Sequence, residues 1–156
     1  MKLNSQFGLI GMVRLVHKRK GKILSDTGWI KNTIASAGKA EVSNLIGNVS
    51  SPSPFTYLAL GTSSAAESAS HTALQAEITD SGLSRAAATV SRTTTTVTND
   101  TVQYDKTWTA SGAKTVEEIG IFNAASSGTM LGRKLTGSKA LQSGDQLVAT
   151  YKIIVS

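Results

Sequence analysis

From Arg85 to the C-terminus the chain keeps a period of two, and this limits what it can fold into more than any other feature. Successive side chains of a strand point to opposite faces. Over residues 101–110, Val102, Tyr104, Lys106, Trp108 and Ala110 therefore share one side, and Thr101, Gln103, Asp105, Thr107 and Thr109 share the other. That is the mark of a half-buried antiparallel strand. Residues 146–155 present Leu147, Ala149, Tyr151, Ile153 and Val155 on one face in the same way. Residues 116–122 and 129–135 pair around a loop at 123–128, and the threonine- and valine-rich stretch 86–98 turns at Asn99-Asp100.

The first half is more mixed. Residues 11–18 alternate in part, Lys20-Gly21-Lys22 is a turn signal, and a return strand begins at Ile23-Leu24 and ends near Trp29-Ile30. Ile34, Ala37, Val42, Leu45 and Ile46 fall at helical spacing, with Gly47 as the stop, and Gly38 predicts a short helix. Residues 50–54 are a loop by composition, residues 55–60 are a strand apolar on both faces, and residues 71–78 have the spacing of one or two helical turns. Turn signals at intervals of about ten residues, separating short strands, are the pattern of a sandwich or barrel. The expectation is a mainly β chain: a single antiparallel β-sandwich, jelly-roll or Ig-like, with one or two short helices and an N-terminal hairpin. One domain spans residues 1–156, with a basic hairpin segment at 1–32 and the sandwich body at 33–156.

Positive charge is concentrated in that hairpin. Residues 1–40 hold eight Lys and Arg against the one acid Asp26, whereas the remainder is close to neutral. A segment of this kind suits a docking surface better than a uniformly basic nucleic-acid binder does. Arg14, Lys18, Arg19, Lys20 and Lys22 are the candidate docking residues, and an acidic protein surface is the partner they call for. Nucleic acid would want interleaved aromatics for stacking, and none lies near the tip. No apolar run approaches the ~20 residues that span a bilayer. Arg14 interrupts the stretch that a secretory signal would continue, so a soluble chain without a targeting segment or a membrane partner is expected.

Groups that carry chemistry are scattered. The chain has no cysteine, which removes disulfides, thiolate metal sites and a cysteine nucleophile together. His17 and His71 lie on different elements, read as surface or turn histidines, and have no further ligands at metal-binding spacing. Glu117 and Glu118 are adjacent on a strand, so their side chains face opposite ways and cannot act as a carboxylate pair; one of them orients backbone or borders the core. No Gly-x-Ser-x-Gly elbow is present. Gly61-Thr62-Ser63 lacks the lysine and glycine spacing of a phosphate loop and reads as a turn. The triplets at Asn48 and Asn99 match a short glycosylation pattern that is common by chance. The run Thr93–Thr96 suits an outer wall or an edge strand that pairs with a neighbour. No enzyme activity, cofactor or metal is expected.

The order of the motifs is familiar. Trp29-Ile30-Lys31-Asn32-Thr33-Ile34 leads into the helix, and Phe55-Thr56-Tyr57-Leu58-Ala59-Leu60-Gly61-Thr62 follows. Later come Trp108-Thr109-Ala110, Val116-Glu117-Glu118-Ile119-Gly120-Ile121-Phe122-Asn123, Gly128-Thr129-Met130-Leu131-Gly132-Arg133 and Gly144-Asp145-Gln146-Leu147. Across residues 29–156 this resembles a group of small virion structural proteins of tailed bacteriophages, of the head-decoration (cement) or tail-fibre-like kind. The resemblance implies a β-sandwich assembled in many copies on a virion formed in the host cytoplasm. A capsid decoration protein is the leading expectation, bound to the outside of the filled head and reinforcing it. A tail, collar, baseplate or fibre-attachment component is the alternative, and a carbohydrate-binding sandwich a distant one, since aromatics are only 5% of residues and Trp29 and Trp108 both fit core positions. The partners implied are the major capsid protein or other virion subunits, and further copies of the chain, a trimer by analogy, with no direct nucleic acid.

Overall fold

The computed structural model describes residues 8–156, so the sequence reading of residues 1–7 lies outside it. Two antiparallel sheets pack face to face. The first contains β1 (Leu9–Arg19), β2 (Lys22–Asp26), β3 (Ile30–Lys31), β7 (Thr89–Thr93), β8 (Thr101–Thr109) and β11 (Gln146–Val155), in the order β2-β1-β11-β8-β7 with β3 also paired to β1. The second contains β4 (Thr33–Ile34), β5 (Tyr57–Gly61), β6 (Ala86–Ala87), β9 (Lys114–Phe122) and β10 (Met130–Leu141), in the order β4-β10-β9-β5-β6. The sandwich expectation holds.

Period two places the core as the sequence predicts. Tyr104 and Trp108 on β8, with Leu147, Ala149, Tyr151 and Ile153 on β11, turn inward to meet Leu58, Leu60, Ile119, Ile121 and Leu131 of the second sheet. Val155, the last residue of its strand, remains 40% exposed. The Trp108 indole N–H donates to the Ser84 carbonyl at 2.9 Å, which satisfies its one polar group. Trp29 departs from expectation: it is 44% exposed, and the Lys152 ammonium sits 4.9 Å from its ring centre.

The basic hairpin is built into the sandwich. β1 pairs with β11 from Leu9↔Val155 to Lys18↔Gln146, and it buries Val13 and Leu15 completely. Lys20 and Gly21 both have positive φ, the two-residue turn whose twist matches the flanking strands. The chain then crosses between sheets at Asn32, with β3 on one side and β4 on the other. Asn32 is buried and donates from its side-chain amide to the Tyr151 hydroxyl. Gly11 and Gly132 flank it so closely that a Cβ at either position would collide with the Asn32 amide.

Among the described residues one helix forms, α1 (Ser36–Gly47), and it stops one residue later than predicted: Asn48, not Gly47, takes the left-handed C-cap conformation. The second expected helix is absent. Residues 71–78 run irregularly because their backbone groups bond elsewhere: Ile78 N–H donates to the Leu60 carbonyl, Thr62 N–H donates to that of Ala76, and Glu77 bridges Gly61. The threonine run also stops short of a full strand. β7 ends at Thr93, and the Asp100 carboxylate accepts the amides of Thr95, Thr96 and Val97, each at 2.8 Å, which curls the rest into a loop. β7 is an edge of the first sheet.

Candidate functional site

The side chains with chemical potential are engaged inside the fold. Glu118 is fully buried, pairs with buried Arg133, and accepts the backbone amides of Ala76 at 2.9 Å and Gln75 at 3.3 Å. Arg133 donates onward to the carbonyls of Ala65 at 2.9 Å and Ala66 at 3.3 Å. Together they strap residues 62–78 onto the outer face of the second sheet, which is the backbone-orienting role expected of one of the two glutamates. Glu67 ties the same strap to β4 and β10. Burial works to raise its carboxyl, but bonds from Lys134, Thr33 and the Leu135 amide overcome it and leave the group below its ordinary value. Thr62 already donates its amide to the Ala76 carbonyl, so Gly61-Thr62-Ser63 is not an open cradle; nor is it the turn expected, since Gly61 ends β5 and Thr62 and Ser63 run on irregularly.

His71 is the turn histidine expected, its amide donating to the Ser68 carbonyl at 3.1 Å, whereas His17 is neither at the surface nor in a turn. His71 is half-buried in the strap, with Nδ1 3.5 Å from the Arg133 guanidinium. His17 is buried, with Nε2 2.8 Å from Asp145. Asp145 is also buried, and two bonds from Arg19, at 2.8 and 2.7 Å, hold its carboxyl well below the usual range, helped by the Gln142 amide and His17. Among the described residues, no three His, Asp or Glu side chains gather as a metal-ligand set.

The five basic docking candidates divide accordingly. Arg19 is committed to Asp145. Arg14 is committed to Asp26, whose carboxyl is lowered to about 2 by that bond first and by the Gly28 amide second. Lys18, Lys20 and Lys22 have no carboxylate partner among the described residues, and Lys20 and Lys22 are exposed at the hairpin tip.

The outward face of the first sheet carries a feature that was not read from the sequence. With Val13 and Leu15 inward on β1, Ile10, Met12, Arg14, Val16 and Lys18 point out; with Leu147 to Ile153 inward on β11, Val148, Thr150, Lys152 and Ile154 point out. Register sets Ile10 beside Ile154 and Val16 beside Val148, while Ile23 of β2 lies opposite Lys18 and is 59% exposed. Arg14, Val16, Lys18, Ile23, Val148 and Thr150 line a shallow depression of about 260 Å³. An outer sheet face is usually polar; here β8 keeps to that with Gln103, Asp105 and Thr107, while β1 and β11 intersperse an apolar band of Ile10, Ile154, Val16 and Val148 with the cations Arg14 and Lys152. The signal was present in residues 146–155, where Val148 and Ile154 make both faces of the strand partly apolar.

The family model described as podophage GP4 fiber I protein gp80 matches residues 33–155. No curated protein and no solved structure matches the chain. The matched stretch begins just after the Asn32 crossover, so it includes the β11 half of the apolar band and leaves out the half contributed by β1 and β2.

Proposed function

Because this chain belongs to the podophage GP4 fiber I protein gp80 family, and is thus a small structural protein of a tailed-phage virion, we propose that it serves as a non-catalytic fibre subunit held to its neighbours by its sheet surfaces. The family description carries the choice of fibre over head. On the outer face of the first sheet, exposed Ile23 beside half-buried Val16 and Val148 supports a gripping role, since an apolar patch of this kind is stabilised by being covered. A non-catalytic role agrees with the commitments of His17, Glu118, Arg133 and Asp145 to one another and to backbone groups. Assembly of further copies into a symmetric oligomer, a trimer by analogy, belongs to the same proposal.

The head-decoration reading shares the premise of a virion component and differs in location. Electron microscopy of purified particles labelled on this chain separates the two. Label at the fibres, in the small copy number that fibre positions allow, is the expected result. Label spread over the coat lattice would replace the fibre role with decoration, and purified particles without the chain would end both.

A further inference from the structure

We infer that the outward face of the first sheet docks an acidic segment of a different virion protein, laid across the depression between Val16, Ile23 and Val148. This rests on the virion reading above and adds the surface and the chemistry of its partner.

Charge selects the occupant. Six carboxylates are closed by ion pairs within the chain: Asp26 by Arg14, Asp145 by Arg19, Glu77 by Arg85, Asp80 by Lys114, Glu118 by Arg133 and Glu67 by Lys134. The cations around the apolar band are not closed in this way. Lys18 and Lys152 project from the face itself, Lys31 lies opposite Met12, and none has a carboxylate within ion-pair distance among the described residues. Along β1 and β11 the face therefore alternates: the apolar pairs Ile10–Ile154 and Val16–Val148 are separated by Met12–Lys152 and Arg14–Thr150, and Lys18 follows at the end. The two acids on this face are already occupied, Asp26 by Arg14 and Asp105 by Gln103 and Thr150.

A second copy fits poorly. A two-fold contact would set this surface against itself and bring Lys18 and Lys152 toward their own counterparts. A head-to-tail contact would need an acidic patch elsewhere on the chain, yet Glu41 is engaged by Asn44 and Asn123, Asp100 by backbone amides, and Glu117, the acid left without an ion pair or side-chain hydrogen bond among the described residues, is a single charge and not a patch. Nucleic acid also fits poorly, because the band is aliphatic and the ring of Trp29 is taken by Lys152. A protein segment that alternates apolar and acidic residues matches this alternation of apolar and cationic positions.

The test places a photo-reactive residue at Val148 of the full chain within assembled particles, with the same group at Thr72, on the strap of the opposite sheet, as control. Mass spectrometry then identifies the peptides captured. The expected capture from Val148, and not from Thr72, is a peptide rich in Asp and Glu from another virion protein. Its yield should fall roughly tenfold, the factor for about 1.4 kcal/mol, in the pair Lys18→Glu with Lys152→Glu. The melting temperature of the purified pair variant, expected unchanged, shows that the fold has been kept. Capture of a second copy, of nucleic acid or of a peptide without acidic residues overturns the inference, as does capture equal to the control or insensitive to the charge reversals. Particles that contain the chain but give no acidic capture overturn this inference alone; particles without the chain overturn the virion reading as well.

Discussion

The Glu118–Arg133 pair is the residue-level reason that residues 62–78 stay on the second sheet. Each partner also bonds backbone groups of that strap, so breaking one contact strands several others. Replacing one member of a buried pair leaves the other charge uncompensated, which costs about 3–5 kcal/mol. Glu118→Gln should lower the stability of the whole chain by that order, read from the urea midpoint. Adjacent glutamates on a predicted strand made this position legible in part: opposite faces followed from the pleat, but the partner, 15 residues on, did not. Acid should loosen the hairpin. Asp26 has a depressed folded value of about 2, so its contribution is complete above the unfolded value near 4 and is lost as pH falls toward 2. Asp145 is shifted in the same direction. Amide exchange at Ile23, taken relative to the intrinsic rate of an unstructured chain at each pH, should therefore quicken between about pH 4 and pH 2. Exchange that stays flat over that window would remove the Arg14–Asp26 bond from the account.

At the scale of elements, α1 shows where local propensity and packing diverge. Gly38 reads from sequence as a weakness, yet it is the buried residue of the helix, and a Cβ there would lie 2.5 Å from the Leu131 Cα. Glycine allows the helix to close on β10. Gly38→Ala gains about 1 kcal/mol of helix propensity but must push two backbones apart, at a cost of roughly 1–3 kcal/mol. The expected net is a lower melting temperature; a higher one would mean that the helix can move away without loss. The helix expected at residues 71–78 failed for a related reason. Helical spacing was present, but β5 and Glu118 offered its amides partners that no local pattern reveals. The same competition ended β7, where Asp100 draws three amides out of a run that β-propensity alone would extend.

For the whole molecule, the stretch that carries the family match and the stretch that folds are not the same. Residues 33–155 match, yet β11 would then lose its neighbour on one side, and the core would lose Val13 and Leu15. Alternation in residues 11–18 pointed to a strand, but pairing across nearly the full length of the chain, from Leu9 to Val155, lies beyond what periodicity can show. The basic charge at the tip suggests an attached docking arm, while the apolar inward side of the same strand completes a sheet. A fragment of residues 33–156 should accordingly lack a cooperative thermal transition, because an exposed central strand and an uncovered Tyr151 and Ala149 cost more than a domain of this size has in reserve. Adding a synthetic peptide of residues 8–26 should restore the transition in a concentration-dependent way, as a missing strand does when supplied from outside. A fragment that melts cooperatively without the peptide would show that β1 is an addition to a self-sufficient sandwich. The apolar band shared by β1 and β11 would then have to be regarded as two separate surfaces.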